Sequence, residues 1–258
     1  MSRVYAVVNQ KGGVGKTTTA VNLAAYMALK GARVLLIDLD PQSNATSGVG
    51  VQRGSVKFSV YDTLVEGKPI RDSMVDTCVK NLSLLAATLD LAGAEMELMS
   101  RISRETCLRA AIDPVRHEFD VIMIDAPPSL GLLTLNALTA ADAVIIPLQT
   151  EYYALEGVTQ LLQTIELVKK HLNPSLEIEK VILTMYDYRT RMSKQIVAEV
   201  QDYFKGKVAS KIVPRNVRLS EAPSHGLPIA LYEPKSQGAM AYEQIAQEVL
   251  DRGKTRTG

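Results

Sequence analysis

The chain has 258 residues, of which 47% are hydrophobic, so it can bury a large core and lies near the upper size limit for one domain. Its 29 basic and 28 acidic residues give a net charge of +1, which excludes a generic polycation. No apolar run approaches about 18 residues and the start has no signal-peptide pattern, so we expect neither membrane spanning nor secretion.

Short apolar runs alternate along the chain with segments of helical periodicity. The runs are nearly continuous in Val, Ile and Leu, which is typical of strands covered on both faces. In chain order, strands are predicted at 4–9, 33–39, 82–88, 119–125, 143–149, 179–186 and 208–214. Helices are predicted at 17–30, 94–112, 155–171, 193–204 and 239–252.

This alternation predicts an α/β fold with a mostly parallel, twisted sheet and helices on both of its faces. No internal repeat, low-complexity segment or linker interrupts the pattern. We therefore expect a single domain over residues 1–252, followed by a polar tail over residues 253–258.

The first strand runs into a glycine-rich loop and then a helix, NQKGGVGKTTT over residues 9–19. A phosphate-binding loop reads G-x-x-x-x-G-K-[ST], and here Gln10 stands where its first glycine is expected. Glycines let backbone N–H groups approach phosphates, and the helix N-terminus adds a favourable dipole. The context predicts a P-loop NTPase in which Lys16 reaches the β- and γ-phosphates and the Thr17 hydroxyl holds Mg²⁺. The predicted nucleotide-binding residues of this loop are Lys11, Gly12, Gly13, Gly15, Lys16, Thr17 and Thr18.

Three aspartates stand at the ends of predicted strands. Asp125 ends the apolar run VIMID, which makes it a Walker B candidate for ordering the Mg²⁺ shell. Asp38 and Asp40 follow the second strand in IDLDPQSN. Ligands of open α/β sheets bind beyond the carboxyl ends of strands, so all three carboxylates can converge on the loop. For Asp38, a metal-site role and a structural role as a turn or cap stay equally open.

Five longer motifs resemble the ParA family of partition ATPases, in particular its chromosomal Soj branch. They are KGGVGKTTT, LLIDLDPQSNATSGVG, IMIDAPPSLGLLTLNALTAAD, EYYALEG and IVPRNVRLSEAPSHG. The resemblance extends from about Arg3 to Leu250, which is essentially the whole chain. One departure is Ser43 in PQSN, where close relatives often have glycine.

The resemblance implies roles for individual residues. Lys11 corresponds to the deviant Walker A lysine of this superfamily, which acts on the ATP of a second subunit. Asp40 corresponds to the catalytic switch I aspartate, and Asp125 to the Walker B aspartate. Pro214 and Asn216 correspond to the segment that holds the adenine.

Basic residues concentrate in one segment, residues 186–218, where eight basic side chains face three acidic ones and the net charge is +5. Composition alone favours an ordinary solvated surface. The resemblance implies instead that Arg189 and Arg218 contact DNA. Such a patch neutralises few phosphates per subunit, so binding should be non-specific, salt-sensitive and weak until two subunits combine their patches.

Other protein families that share this loop need sequence features that this chain lacks. A nitrogenase-type iron protein needs a cysteine just after Walker B, and DAPPSLG has none. A MinD-like regulator needs a basic amphipathic C-terminal helix, whereas AYEQIAQEVLDRGK contains Glu243, Glu248 and Asp251, which favours core packing. A metabolic ligase or kinase would need a substrate pocket, for which no extra domain is available.

The sequence therefore predicts an ATP- and Mg²⁺-dependent chromosome-partitioning ATPase that is cytoplasmic and nucleoid-associated. The expected partners are a second copy of the chain, double-stranded DNA bound non-specifically and a ParB/Spo0J-like centromere-binding protein, but no membrane. A replication initiator as a further partner stays open. The alternative is a MinD-like, membrane-associated positioning ATPase.

The cysteines, the histidines and one tyrosine pair are expected to be structural. Cys78 and Cys107 share no metal-ligand or redox spacing, and the histidines at 117, 171 and 225 are scattered, so we expect no zinc site. Tyr152 and Tyr153 are expected to pack at a helix start rather than stack on a base.

Overall fold

A computed structural model describes residues 2–151 and 155–255 of the chain. Within them, seven strands form one sheet in the order β3-β4-β2-β5-β1-β6-β7. Every pairing is parallel except the one between β3 and β4. The strands are β1 (Arg3–Val7), β2 (Val34–Asp38), β3 (Met74–Asp76), β4 (Leu82–Leu85), β5 (Val121–Asp125), β6 (Ala143–Gln149) and β7 (Glu177–Thr184).

Helices connect the strands and cover both faces of the sheet, as predicted. They are α1 (Lys16–Leu29), α2 (Asn44–Gly48), α3 (Ile70–Ser73), α4 (Leu91–Leu98), α5 (Cys107–Ile112), α6 (Leu132–Ala140), α7 (Glu156–His171), α8 (Arg191–Phe204), α9 (Val217–Glu221), α10 (Ile229–Tyr232) and α11 (Gln237–Thr255). No helix among the described residues is both long and apolar enough to cross a bilayer.

The sheet separates two hydrophobic cores. Val4 and Ala6 of β1 face one core, and Tyr5 and Val7 face the other, because successive side chains of a strand point to opposite faces. Helices α4 to α8 close the first core, and α1 and α11 close the second. Burial on both faces explains why the strands read as continuous apolar runs.

The C-terminal helix is held against the body of the protein. Ile245 and Val249 are fully buried in the core that α11 shares with α1, so the prediction of core packing is confirmed. The Glu248 carboxylate forms an ion pair with the buried Lys180 of β7 and accepts a hydrogen bond from Ser210 N. Helix α11 continues to Thr255, into the segment expected to be a polar tail.

The predicted strand at 208–214 is wrong. Ala209 N donates to Val181 O and Val213 N donates to Leu183 O, so four residues of this segment advance along two residues of β7. The ladder therefore breaks into isolated bridges. Between them, Ser210 N bonds to the Glu248 side chain instead of to the sheet.

The predicted helix at 94–112 is also wrong as one element. It divides into α4, a 3₁₀ turn at Arg104–Thr106 and α5. Ser103 separates them with a left-handed backbone, φ 57°. Helix α6 and strand β3 were not predicted, because α6 is buried on nearly all sides and so shows no clear helical periodicity, and β3 is only three residues long.

A strained residue lies in the loop after β2. Ser43 is buried with φ 54° and ψ 36°, a left-handed conformation that costs a residue with a side chain about 1–2 kcal/mol. Its Oγ donates a hydrogen bond to Ala87 O at 3.0 Å, which holds this loop to the chain beyond β4.

We predict that Ser43→Ala destabilises the protein by about 1–2 kcal/mol, because the backbone strain stays and the hydrogen bond is lost. Ser43→Gly should lie within about 1 kcal/mol of the wild type, since glycine removes the strain. Chemical denaturation of the three proteins measures the difference. A glycine variant less stable than the alanine variant would contradict this account.

Candidate functional site

The glycine-rich loop has the geometry of a phosphate cradle. Gly13 has φ 74° and Gly15 has φ 87°, backbone conformations that glycine adopts without strain. A Cβ added at Gly12 or Gly13 would meet nothing within 4 Å, so the loop is open on that side. Gly15 directly precedes α1, which places the helix N-terminus at the cradle.

Gln10, the residue that breaks the usual loop pattern, has a structural function. Its Nε2 donates to Gly157 O at 2.9 Å, which ties the loop to the first turn of α7. Asn9 Nδ2 donates to Pro147 O at 2.7 Å, and Asn9 Oδ1 accepts from Lys11 N at 3.0 Å. Side chains of the preceding residues therefore hold the entry to the loop.

The two lysines of the loop point to different places. Lys16 is buried, and its Nζ donates to Lys11 O at 3.0 Å inside the loop. Burial lowers the pKa of Lys16, and the negative charges of Asp125 and Asp40 oppose that effect. The Lys11 side chain is 50% exposed, and its Nζ lies 2.9 Å from Glu151 Oε2.

Asp38 and Asp125 stand opposite each other in the register of β2 and β5, and both are fully buried. Asp38 Oδ2 accepts hydrogen bonds from Thr46 N and Thr46 Oγ1, both at 2.8 Å, and Oδ1 accepts from Asp40 N at 3.1 Å. Burial raises the pKa of Asp38 to about 6, although these hydrogen bonds oppose the shift. Both carboxylate oxygens of Asp38 hold the loop that carries Asp40. This favours a structural role for Asp38 over a role as a metal ligand.

Asp125 differs from Asp38 in having no such partners. Both of its carboxylate oxygens are buried, and neither has a hydrogen bond of normal geometry among the described residues. The Thr17 hydroxyl nevertheless lies close enough to favour the charged form of the Asp125 carboxylate. Burial, with the charge of Asp38 added, raises the pKa of Asp125 well above its usual range. Carboxylate and hydroxyl oxygens are ligands that Mg²⁺ prefers, so Thr17 and Asp125 fit that ion.

Asp40 completes the acidic group at this edge of the sheet. It is nearly buried, and its Oδ1 accepts a hydrogen bond from Gln42 N at 2.9 Å. Its charge acts on Lys16 together with that of Asp125. The structure thus brings together the loop lysine and the three aspartates that the sequence singled out.

A cavity of about 220 Å³ adjoins the start of α1 and was not predicted. Thr17 and Thr18 line it, and five apolar residues between Leu219 and Pro228 form an apolar wall. Part of this wall belongs to the motif RLSEAPSHG, but no local sequence pattern indicates that the motif lines a cavity at the start of α1. A larger cleft of about 1030 Å³ lies at the opposite edge of the sheet and shares no residue with the loop.

Pro214 and Asn216 do not line this cavity. Asn216 caps α9, with its Oδ1 accepting a hydrogen bond from Arg218 N at 2.9 Å, and Pro214 pairs with Tyr186 in an isolated bridge. Both residues lead into the helix that carries Leu219 to the cavity wall. Their contact with an adenine stays a prediction.

The two arginines expected to contact DNA are exposed, and each forms an ion pair. Arg189 Nη2 lies 2.7 Å from Asp187 Oδ2, and Arg218 Nη1 lies 2.7 Å from Glu221 Oε2. Arg189 follows the end of β7, and Arg218 lies on α9, which comes shortly after the bridge between Pro214 and Tyr186 beyond that end. Tyr152 and Tyr153 lie outside the described residues.

Comparison with known proteins places the chain in a family. A family model described as an AAA domain matches residues 2–178. The sporulation initiation inhibitor protein Soj of Bacillus subtilis is 56% identical over 98% of this chain and 100% of that protein. The chromosome partitioning protein ParA of Myxococcus xanthus is 52% identical over 98% of this chain and 89% of that protein.

Solved structures agree with the fold. A Mycobacterium smegmatis protein described as cobyrinic acid a,c-diamide synthase, with bound ADP and magnesium, is 40% identical with a TM-score of 0.88, covering 99% of this chain and 97% of that one. MinD of Pyrococcus horikoshii, complexed with Mg-ADP, is 25% identical with a TM-score of 0.81, covering 96% of each chain. With a glycine-rich loop at the sheet edge and full-length relatives above half identity, the chain belongs to the AAA-domain family and, within it, to the Soj and ParA chromosome-partitioning proteins.

Proposed function

We propose that this protein is a chromosome-partitioning ATPase whose ATP-bound dimer binds DNA without sequence preference and releases it on hydrolysis. The observation that carries the proposal is that both carboxylate oxygens of Asp125 are buried, with only the Thr17 hydroxyl close by, where an open glycine loop runs into α1. The names of the relatives support the partitioning role. The Mg-ADP in the similar structures supports ATP and Mg²⁺ as ligands.

The nucleotide would lie along the loop and the start of α1. Backbone N–H groups of residues 12–18 and the Lys16 ammonium would bind the phosphates. Thr17 and Asp125 would hold Mg²⁺, which neutralises phosphate charge when bound. The apolar wall from Leu219 to Pro228 would receive the base. The cavity beside it has a volume of about 220 Å³, smaller than the roughly 300–1,000 Å³ of pockets that enclose a whole drug-sized ligand, so it would hold only part of the nucleotide.

Asp40 would act on the attacking water. In the proposed reaction, water attacks the γ-phosphorus, the bond to the β–γ bridging oxygen breaks, and ADP and phosphate leave. Asp40 would orient the water or accept its proton. Asp38 contributes by position, because its carboxylate fixes Asp40 N and Thr46 and so sets where Asp40 stands.

Lys11 would act on the ATP of a second subunit. Lys16 already occupies the inside of the loop, whereas the half-exposed Lys11 ammonium lies at the surface, paired with Glu151. A cation supplied this way stabilises charge on the transferring phosphoryl group and is worth roughly 10³–10⁵ in rate. Catalysis then depends on dimerisation.

DNA binding is assigned to Arg189 and Arg218 in the basic segment. In a dimer, the two copies of this segment would bind DNA together, which makes affinity depend on pairing. A ParB/Spo0J-like protein at a centromere-like site would stimulate hydrolysis, and a replication initiator is a further candidate partner. The proposed ATPase domain covers residues 1–252, and the protein would act in the cytoplasm on the nucleoid.

The likeness to MinD supports a second candidate, a membrane-recruited positioning ATPase. Against it, α11 uses its apolar face to pack on α1, so that face is not available to lipid. Sedimentation of the ATP-bound protein with plasmid DNA or with anionic liposomes separates the two functions. Binding to plasmid and not to liposomes is the expected result, and the reverse would favour the MinD-like function.

We predict that Asp40→Ala binds ATP, because Lys16 and Thr17 remain, but hydrolyses it hardly at all and accumulates as an ATP dimer. Asp40→Asn is the matched control for the loss of the hydrogen bond, since it keeps an oxygen that accepts from Gln42 N and removes only the negative charge. Light scattering with ATP and Mg²⁺ measures the dimer. A monomeric Asp40→Ala protein under these conditions would contradict the assignment.

Mixing two inactive variants tests the role of Lys11. If Lys11 acts on the partner's ATP, a mixed dimer of Lys11→Ala and Asp40→Ala has one site with intact Asp40 that receives Lys11 from the other subunit. ATPase activity should therefore return in the mixture. Demonstrated mixed dimers that remain inactive would show that Lys11 serves its own subunit.

The basic surface is tested by Arg189→Ala and Arg218→Ala. Each should abolish sedimentation with plasmid at moderate salt, keep ATP-dependent dimerisation, and reduce the log–log salt slope by about one unit per lost phosphate contact. Arg33→Ala is the control, because Arg33 is an exposed arginine paired with Asp120 at the opposite edge of the sheet. Normal plasmid binding by either test variant would move the site elsewhere in residues 186–218.

A further inference from the structure

Each arginine assigned to DNA already has an anionic partner within the subunit. Arg189 Nε and Nη2 donate to Asp187 Oδ1 and Oδ2 at 2.9 and 2.7 Å, a two-point arrangement. Asp187 Oδ1 also accepts from Arg189 N at 3.0 Å. A phosphate would use the same donors of the guanidinium, because carboxylate and phosphate match its fork equally.

Glu221 holds Arg218 in a similar way. Arg218 Nη1 donates to Glu221 Oε2 at 2.7 Å, one helical turn away on α9. The Tyr232 hydroxyl donates to the same oxygen at 3.2 Å, and the His225 ring stacks on Tyr232 at 4.9 Å. Glu221 is therefore held in position from a second element, α10.

Both ion pairs face solvent, where DNA would approach. Arg189 is 73% exposed and Arg218 is 53% exposed. The Arg189 guanidinium lowers the pKa of Asp187 to about 2, so this carboxylate keeps its charge at every physiological pH. A DNA phosphate must therefore displace a carboxylate before it binds the arginine fully.

The two pairs belong to one connected part of the fold. Arg215 N donates to Tyr186 O and Tyr186 N donates to Val213 O, which joins the segments that carry the two arginines. Thr184 Oγ1 donates to Val14 O at 2.9 Å, which ties the end of β7 to the phosphate loop. The ion pairs thus lie on elements that contact the nucleotide site.

We propose that Asp187 and Glu221 are positioning residues that compete with DNA phosphates for Arg189 and Arg218, and so keep the DNA affinity of a single subunit low. This inference rests on the proposed DNA-binding function. Each arginine bound to DNA loses an intramolecular partner, so only the combined contacts of two subunits give useful affinity. The pairs also hold both guanidinium groups in a fixed place on the surface.

Asp187→Asn and Glu221→Gln test the proposal, because each removes the charge and keeps the hydrogen-bond acceptor. Exposed ion pairs change an equilibrium by only about 1.5- to 5-fold. Since a dimer carries two copies, each variant should bind plasmid about 2- to 25-fold more tightly in the presence of ATP. Binding is measured over a salt series, with dimerisation followed in parallel by light scattering.

Asp202→Asn controls for the effect of removing a negative charge from the basic segment without releasing an arginine. Asp202 lies in the same basic segment on α8, is exposed, and has no arginine partner among the described residues. It should raise affinity less than either test variant does. In the Arg189→Ala background, Asp187→Asn should not restore binding, because the arginine that it releases is absent.

Two results would overturn the proposal while leaving DNA binding itself intact. One is a gain from Asp187→Asn and Glu221→Gln no larger than that from Asp202→Asn. The other is restored binding when Asp187→Asn is added to Arg189→Ala. A wild-type protein that binds no plasmid with ATP would instead overturn the proposed function, and this inference with it.

Discussion

The site depends on two carboxylates, Asp38 and Asp125, that are buried side by side at the ends of neighbouring strands. Two negative charges in a dry interior repel each other and lose hydration, so each needs compensation. Asp38 obtains it from three hydrogen bonds given by its own loop. Asp125 has only the nearby Thr17 hydroxyl and the Lys16 charge, which leaves a place where a bound cation is favourable.

Because their hydrogen-bond partners differ, the two aspartates have different roles. Asp38 holds the loop of Asp40 and Thr46 to the sheet, and Asp125 remains available to the ligand side. Ser43, which lies between Asp40 and Thr46, ties the same loop to Ala87 O, at the cost of a strained backbone. Buried polar contacts therefore help to fix the position of Asp40, the residue proposed to act on water.

The cations proposed to act outside the subunit share one property. Lys11, Arg189 and Arg218 are each paired with a carboxylate of the same chain at the surface. Lys16, which would act within the subunit, is buried and bonds to a backbone carbonyl instead. Exposed ion pairs are weak, so a second subunit or a DNA phosphate would displace these carboxylates at a small cost in free energy.

The amino-acid sequence alone determined the parallel sheet, the phosphate loop and the position of Asp125, because apolar runs, glycines and a strand-ending carboxylate are local signals. Only the tertiary structure decided that residues 94–112 break at Ser103, that Thr46 satisfies Asp38, and that the wall from Leu219 to Pro228 lines a cavity at the start of α1. It likewise decided the carboxylate partner of Lys11. These features join residues far apart in the chain, and a local pattern carries no information about which distant group will satisfy a buried or charged atom.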